Sequence, residues 1–337
     1  MGLTLASVLE ARRRLRGLAD GTPMVPSAYL GRHLGREVLL KLETVQPGGS
    51  FKLRGATNAI AALPPGMRGV VCCSTGNHGR AVAQAAQARG LRAVVCLSEL
   101  VPQAKIAAIR AAGAEIRIAG RSQDAAGEAA RRLARDEGLA EIVPFDAPEI
   151  IAGQATIALE MLAARPDLKT LIVPLSGGGL AGGVALAAKA VQPGLRVIGV
   201  SMDRGAAMHL SLRAGRPVAV EEVPGLADSL GGGIGADNRH TFDLCQRLLD
   251  DTYLLSETEI ARGMQALFWE DGQVVEGAAA VGAALLLSGR AGPVEGPVGL
   301  ILSGRNTDMS DFVRVATGQD VRLGDHVVRG QAWDATF

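Results

Sequence analysis

One lysine stands out by its setting. In Gly48-Gly49-Ser50-Phe51-Lys52-Leu53-Arg54-Gly55, Lys52 follows a double-glycine turn and opens a stretch read as a helix over 53–63. An amine nucleophile works when it is partly desolvated and held in place, and such an amine can carry an aldehyde as a Schiff base. Lysines also precede helices by chance, so the turn alone leaves both readings open. Three further loops bear on the choice. Ser74-Thr75-Gly76-Asn77-His78-Gly79 crowds hydroxyl, amide and backbone donors at a helix start, where N–H groups cradle a carboxylate. An ordinary N-capped turn uses the same residue types. Ser176-Gly177-Gly178-Gly179-Leu180-Ala181-Gly182-Gly183 lets the backbone wrap a phosphate, and it lacks the Gly-Lys-Ser/Thr ending of a nucleotide loop. Ser303-Gly304-Arg305-Asn306 places a neutral hydroxyl at a strand end. Facing a pyridine nitrogen, a serine would not keep it protonated as an aspartate would. That weakens the ring as an electron sink and favours expulsion of a leaving group over transamination. A bland C-terminal turn is the other reading of this loop.

The glycine run also contains Gly177-x-Gly179-x-x-Gly182, and Asp203 closes the next strand at the spacing of a ribose-binding acid. A nicotinamide oxidoreductase is therefore a competing expectation. It leaves the Lys52 turn and the Ser74 loop without a task.

The elements that would position these loops alternate. A basic amphipathic helix spans 7–18, and a strand spans 37–42. Strands are expected over 69–73, 92–97, 115–118 and 141–144, with helices over 79–89, 103–112 and 122–137 between them. A second alternation has helices over 149–164, 182–191, 257–270 and 276–287 and strands over 170–175, 196–200 and 298–302. The expected fold class is α/β, with two domains that each have a central, mostly parallel sheet flanked by helices. One domain comprises residues 1–68 and 148–337 and binds the phosphate group. The other, residues 69–147, carries the substrate loop. The polar segment from Gly318 onward is expected to be loosely ordered.

Composition excludes several classes. The 337 residues are 48% hydrophobic but only 3% aromatic, which suits a large core and argues against base-stacking surfaces. A net charge of +1 gives no general attraction to nucleic acid or acidic membranes. Cys72, Cys73, Cys96 and Cys245 lack metal-ligand spacing, and adjacent cysteines disfavour a disulfide framework. No leader core and no apolar run near ~20 residues is visible, so a cytoplasmic protein is expected.

Taken together, the four loops resemble those of the fold type II pyridoxal-phosphate enzymes, and within them the serine/threonine dehydratase and serine racemase family. The likeness covers about residues 5–315. It implies pyridoxal 5'-phosphate as cofactor, a small amino-acid substrate and a homodimer. It also implies a role for each matched position: Lys52 as Schiff-base residue and proton shuttle, Phe51 beside the ring, Asn77 on the phenolic oxygen, and Glu276 near the ring. The amides of Gly177, Gly178, Gly179 and Leu180 would hold the phosphate, Ser303 would meet the ring nitrogen, and Ser74, Thr75, Gly76, Asn77 and His78 would hold the substrate. The implied reaction is β-elimination from a β-hydroxy amino acid, giving a 2-oxo acid and ammonia.

Departures narrow this. Racemases of the family carry a serine on the second face, where this chain has Thr75, so racemisation stays open as an alternative. Relatives that bind a divalent cation use acidic residues where this chain has Ser201, Gly205 and Ala207, so no metal is expected. At this length, the regulatory domain of biosynthetic threonine deaminases is not expected. Residues 201–208 and 227–235 look most like hydroxyectoine-utilisation dehydratases. A 3-hydroxyaspartate dehydratase is a cousin reading, its second carboxylate meeting Arg80 or Arg305. A cofactor-loaded binding protein without turnover is a further alternative. His33, His209, His240 and His326 are read as structural or exposed.

Overall fold

The computed structural model describes residues 2–335 except 20, 75 and 102; the side chains at 104, 105, 123 and 124 also lie outside the description. The chain begins with α1 (Leu5–Leu15), which buries Val8, Ala11 and Leu15. A short edge strand β1 (Met24–Pro26), then α2 (Ala28–Leu34), leads to β2 (Val38–Leu42), and β1 pairs antiparallel with it. The glycine turn then opens α3 (Lys52–Ala61).

Here the chain leaves one sheet and builds another. β3 (Gly69–Cys73), α4 (Asn77–Gln87), β4 (Arg92–Leu97), α5 (Gln103–Ala111), β5 (Glu115–Ile118), α6 (Gln123–Glu137) and β6 (Ala140–Glu141) form a four-stranded parallel sheet in the order β5-β4-β3-β6. The long α7 (Pro148–Ala164) returns the chain. β7 (Thr170–Pro174), α8 (Gly179–Val191), β8 (Arg196–Met202), α9 (Ala207–Ala214), α10 (Thr241–Leu248), β9 (Asp251–Leu255), α11 (Glu257–Trp269), α12 (Gly277–Ser288) and β10 (Val298–Leu302) follow. The larger sheet has the order β1-β2-β10-β7-β8-β9, parallel throughout except at β1. β2, β7 and β10 are buried at every position, as mostly apolar strands are when helices cover both faces, with Lys41 and Thr170 as buried polar exceptions. After α13 (Met309–Ala316) come the hairpin strands β11 (Val321–Leu323) and β12 (His326–Val328).

Two close helix contacts anchor the lysine turn. A Cβ on Gly55 would lie 3.0 Å from the Ile150 carbonyl, and one on Gly153 would lie 2.7 Å from the Arg54 carbonyl. Glycine at both positions therefore lets α3 and α7 approach backbone to backbone. Behind Lys52 sits a buried ionic group. Arg54 Nε donates to Glu43 (2.8 Å) and Nη1 to Glu160 (2.6 Å), while Lys41 Nζ donates to Glu160 (2.6 Å). Burial works against the Arg54 charge, but Glu43 and Glu160 outweigh it and raise its proton affinity. Each carboxylate loses its water and gains a cation in return, so the group holds only while complete.

Three expectations change. The strand expected over 141–144 shrinks to Ala140–Glu141, because residues 142–144 leave the sheet toward Lys52. β1, α2, α9, α10, β9 and α13 were not anticipated. The C-terminal segment is packed over its described residues, which end at 335: Val321 and Val328 are buried, and Trp333 packs edge-on to Tyr29 at 5.5 Å beneath the Arg262 guanidinium at 4.2 Å. A few apolar side chains suffice there because each lands on a surface the core already presents. No helix among the described residues is long and apolar enough to cross a membrane.

Candidate active site

The carboxyl ends of β2, β3, β7 and β10 bring the expected loops together. The lysine turn is stitched to the loop after β10. Phe51 N–H donates to the Ser303 carbonyl (2.9 Å), Arg305 N–H donates to the Gly49 carbonyl (2.9 Å), and Ser50 bridges Gly304. Gly49 needs its positive φ of 73°, and any Cβ there would strike the Asn306 side chain at 2.7 Å. Ser303 is buried beside this seam.

Lys52 Nζ donates to the Pro144 carbonyl (2.9 Å) and lies 5.3 Å from the Phe51 ring centroid. Burial lowers its proton affinity, with Glu276 partly opposing, to a pKa of about 8. A sizeable fraction of the amine is thus neutral near physiological pH, as a nucleophile or base must be. Glu276, the N-cap of α12, is itself buried, and burial lifts it to about 7 against hydrogen bonds from Asn77 and Ser229 that lower it. Asn77 Nδ2 donates to both of its oxygens (3.0 Å each) and Ser229 Oγ to one (3.0 Å).

The loop at 74–79 opens α4 as expected, with Gly76 N–H donating to Ser74 Oγ (3.4 Å). Thr75 lies outside the described residues. His78 is turned inward: its Nε2 donates to the Ile142 carbonyl (2.8 Å), and burial, with Lys52 nearby, lowers it to about 3. It is a neutral, committed imidazole at working pH.

The glycine run after β7 opens α8 with no side-chain cap. The first N–H groups of such a helix have no intrahelical acceptor. Gly178 takes φ 84°, and a Cβ there would meet Met208 Cε at 2.7 Å and Cys245 Sγ at 3.0 Å. A Cβ on Gly177 would strike the Phe145 ring, and one on Gly179 would lie 3.0 Å from the Phe145 carbonyl. The run is therefore a backbone-only cradle with free donors, suited to a phosphate dianion. Lys52 suits an aldehyde, and Ser303 and Asn77 are neutral partners suited to a ring nitrogen and a phenolic oxygen. These residues fit pyridoxal phosphate.

Residues that sequence reasoning missed bind the loops together. Pro144 holds Lys52, Phe145 covers the cradle, and Asp146 accepts N–H groups of Arg239 (2.7 Å), His240 (2.9 Å) and Thr241 (2.9 Å) at the start of α10. An acidic residue before a helix was legible, but its target lies 95 residues on. Ser229 and Asn306 carried no signal beyond their place in glycine-rich loops. Arg80 is half-buried on Asn306, while Arg305 is exposed.

Comparison with known proteins agrees with this geometry. A family model described as pyridoxal-phosphate dependent enzyme matches residues 15–304. A provisionally named threonine dehydratase of Sinorhizobium fredii is 52% identical over 318 residues, 94% of this chain and 96% of its own length. The L-threo-3-hydroxyaspartate ammonia-lyase of Saccharomyces cerevisiae is 35% identical over 323 residues, covering 94% and 97%. The structure of maize serine racemase superposes with a TM-score of 0.87 at 31% identity, over 93% of this chain and 97% of that one. The nicotinamide expectation for Gly177-x-Gly179-x-x-Gly182 and Asp203 gives way to these matches. This chain belongs to the pyridoxal-phosphate-dependent enzymes of fold type II.

Proposed function

We propose that the enzyme is a β-eliminating lyase of the serine/threonine dehydratase type, converting a small β-hydroxy amino acid into a 2-oxo acid and ammonia. One observation carries the reading: a desolvated Lys52 sits at a seam whose opposite side is Ser303, a neutral group where a carboxylate would favour transamination. The names of the S. fredii and yeast relatives support the same reaction class.

When bound, the cofactor supplies an electron sink that acidifies the substrate's Cα–H. The rest falls to this chain. Lys52, with its pKa of about 8, takes the α-proton at Nζ, and the Pro144 carbonyl fixes that atom's direction. Gly177, Gly178, Gly179 and Leu180 hold the phosphate by backbone amides, and Phe51 flanks the ring. Ser74, Gly76 and Asn77, with Thr75, hold the substrate carboxylate at the head of α4, where the helix dipole favours an anion. Glu276 keeps a low charge density beside the ring because burial resists its ionisation. Overall the α-hydrogen and β-hydroxyl leave as water, and hydrolysis releases ammonia.

The finer parts of the reading are a cytoplasmic homodimer, supported by the four free thiols and the family likeness, and a place in hydroxyectoine breakdown, supported by residues 201–208 and 227–235. The 69–147 segment as a separate substrate-loop domain is supported by its own four-stranded sheet. A panel of L- and D-serine, threonine, 3-hydroxyaspartate and hydroxylated diaminobutyrates, scored for 2-oxo acid and ammonia, tests the proposal. At least one should turn over, and Lys52→Ala should abolish it. Racemised product without 2-oxo acid would replace the lyase reading with a racemase.

A further inference from the structure

A hydrogen-bonded chain runs outward from the site to a group that the chemistry above does not use. Arg80, three residues after Asn77 on α4, donates from Nη1 to Asn306 Oδ1 (2.9 Å). Asn306 Nδ2 donates to Asn77 Oδ1 (2.7 Å) and to the Gly48 carbonyl (2.8 Å). Asn77 Nδ2 then donates to both Glu276 oxygens. A guanidinium has only donors, whereas a primary amide has a donor end and an acceptor end. With Arg80 outside, Asn306 must turn its oxygen outward and its nitrogen inward. Asn77 must follow, and the Gly48 carbonyl, an acceptor only, enforces the same sense.

We propose that Arg80 is a positioning residue: as a donor-only cation at the outer end of this chain, it helps fix the direction of two side-chain amides and so holds the Asn77 N–H groups on the Glu276 carboxylate. The inference rests on Lys52 and Asn77 forming the cofactor site, and not on elimination being the reaction. Arg80 is half-buried, and its guanidinium donates to a neutral amide. Burial lowers its proton affinity and Glu276 partly restores it, so the guanidinium is held where its charge is felt at that carboxylate. The charged groups facing Glu276 are Lys52 from α3, Arg80 from α4 and Asp228 from the connection between α9 and α10. Hydrogen bonds come from Asn77, Ser229 and the Asn306 backbone. Removing Arg80 takes away one of two cations and frees Asn306 at its outer end, while Asp228 remains. Glu276 then keeps its proton to higher pH.

The holoenzyme, its cofactor-free form and the variants Arg80→Lys, Arg80→Gln and Arg80→Met test this. The readouts are the 13C titration of the Glu276 carboxyl, the pH dependence of the cofactor's visible absorbance, and thermal melting. Arg80→Met should raise the Glu276 midpoint by about one pH unit, a tenfold change in proton affinity, with and without cofactor. Arg80→Gln still offers an N–H but no charge and should shift it less; Arg80→Lys should restore it. Melting should hardly move. An unchanged midpoint in Arg80→Met overturns the proposal. So does a fall in melting temperature shared by all three variants without any shift in titration, which marks Arg80 as a structural brace. A KM rise confined to 3-hydroxyaspartate, with the titration unmoved, makes it a substrate contact instead. Failure of the lyase reading would show separately, as no 2-oxo acid from the unaltered enzyme, and would leave these titrations in place.

Discussion

Replacing Lys52 with methionine should abolish activity and yet stabilise the cofactor-free protein at neutral pH. Burial takes the Lys52 pKa from its ordinary 10.5 to about 8. At 1.36 kcal/mol per tenfold change in proton affinity, that is a folding penalty of about 3.4 kcal/mol as an upper bound. Part of the side chain still reaches solvent, which brings the figure nearer to about 2 kcal/mol. Methionine has similar reach and no charge, but it forfeits the hydrogen bond to the Pro144 carbonyl, worth about 1 kcal/mol. The variant should therefore be more stable by about 1–2 kcal/mol at pH 7. The sign then changes with pH. Between 8 and 10.5 the unfolded lysine holds a proton that the folded one has released, so the unaltered protein gains stability as pH rises through that window. Above it the penalty is gone and only the lost hydrogen bond remains, so the variant should be the weaker of the two. Urea denaturation of both cofactor-free proteins at intervals from pH 7 to 10.5 reads the difference directly. A difference that stays flat across that range would refute the view that a desolvated ammonium sits at this position.

Other substitutions probe separate parts of the framework. Gly178→Ala combines a left-handed backbone with a Cβ 2.7 Å from Met208 Cε, and should cost about 2–5 kcal/mol; equilibrium dialysis should show cofactor affinity lowered at least tenfold, and near-normal binding would contradict the backbone cradle. Arg54→Met leaves Glu43 and Glu160 short of their shared cation, and should destabilise by about 3–5 kcal/mol in urea; a loss below about 1 kcal/mol would mean that the ionic group is dispensable. Glu160 is raised by burial but drawn down further by Arg54 and Lys41, to about 2 from an ordinary 4.5. Its contribution is present above pH 4.5 and lost as pH falls toward 2, so Glu160→Gln should flatten the acid limb of the stability profile.

The loops at the strand ends were more legible in the sequence than the scaffolding that ties them together. Lys52, the glycine run and the serine after β10 were legible because each needs a special backbone or an unusual setting, which leaves a local trace. The β/α alternation was legible because buried parallel strands are short unbroken apolar runs. β9 was not: Asp251-Thr252-Tyr253 sits at a sheet edge with each residue half-buried, so its pattern is mixed. The ties that complete the site were invisible for a different reason. Asp146 to Thr241 and Arg80 to Asn306 span 95 and 226 residues, and no local periodicity encodes a partner at that distance. His78 shows the converse: the family likeness implies a substrate contact, but the first turn of α4 buries it against the Ile142 carbonyl.

The packing of Cys245 beneath Gly178 gives the enzyme a built-in clock. The thiol is almost fully buried, donates weakly to the Gly178 carbonyl at 3.8 Å, and is pushed by burial to about 12. In the closed protein it is both unreachable and un-ionised, so it reacts with an alkylating reagent only when the phosphate loop lifts away. Its labelling rate is then the opening rate, or the open fraction, of the glycine loop proposed to hold the cofactor's anionic end. A ligand that seats in the cradle should slow that labelling in proportion to its occupancy, so one native cysteine reports how long the cofactor stays in place.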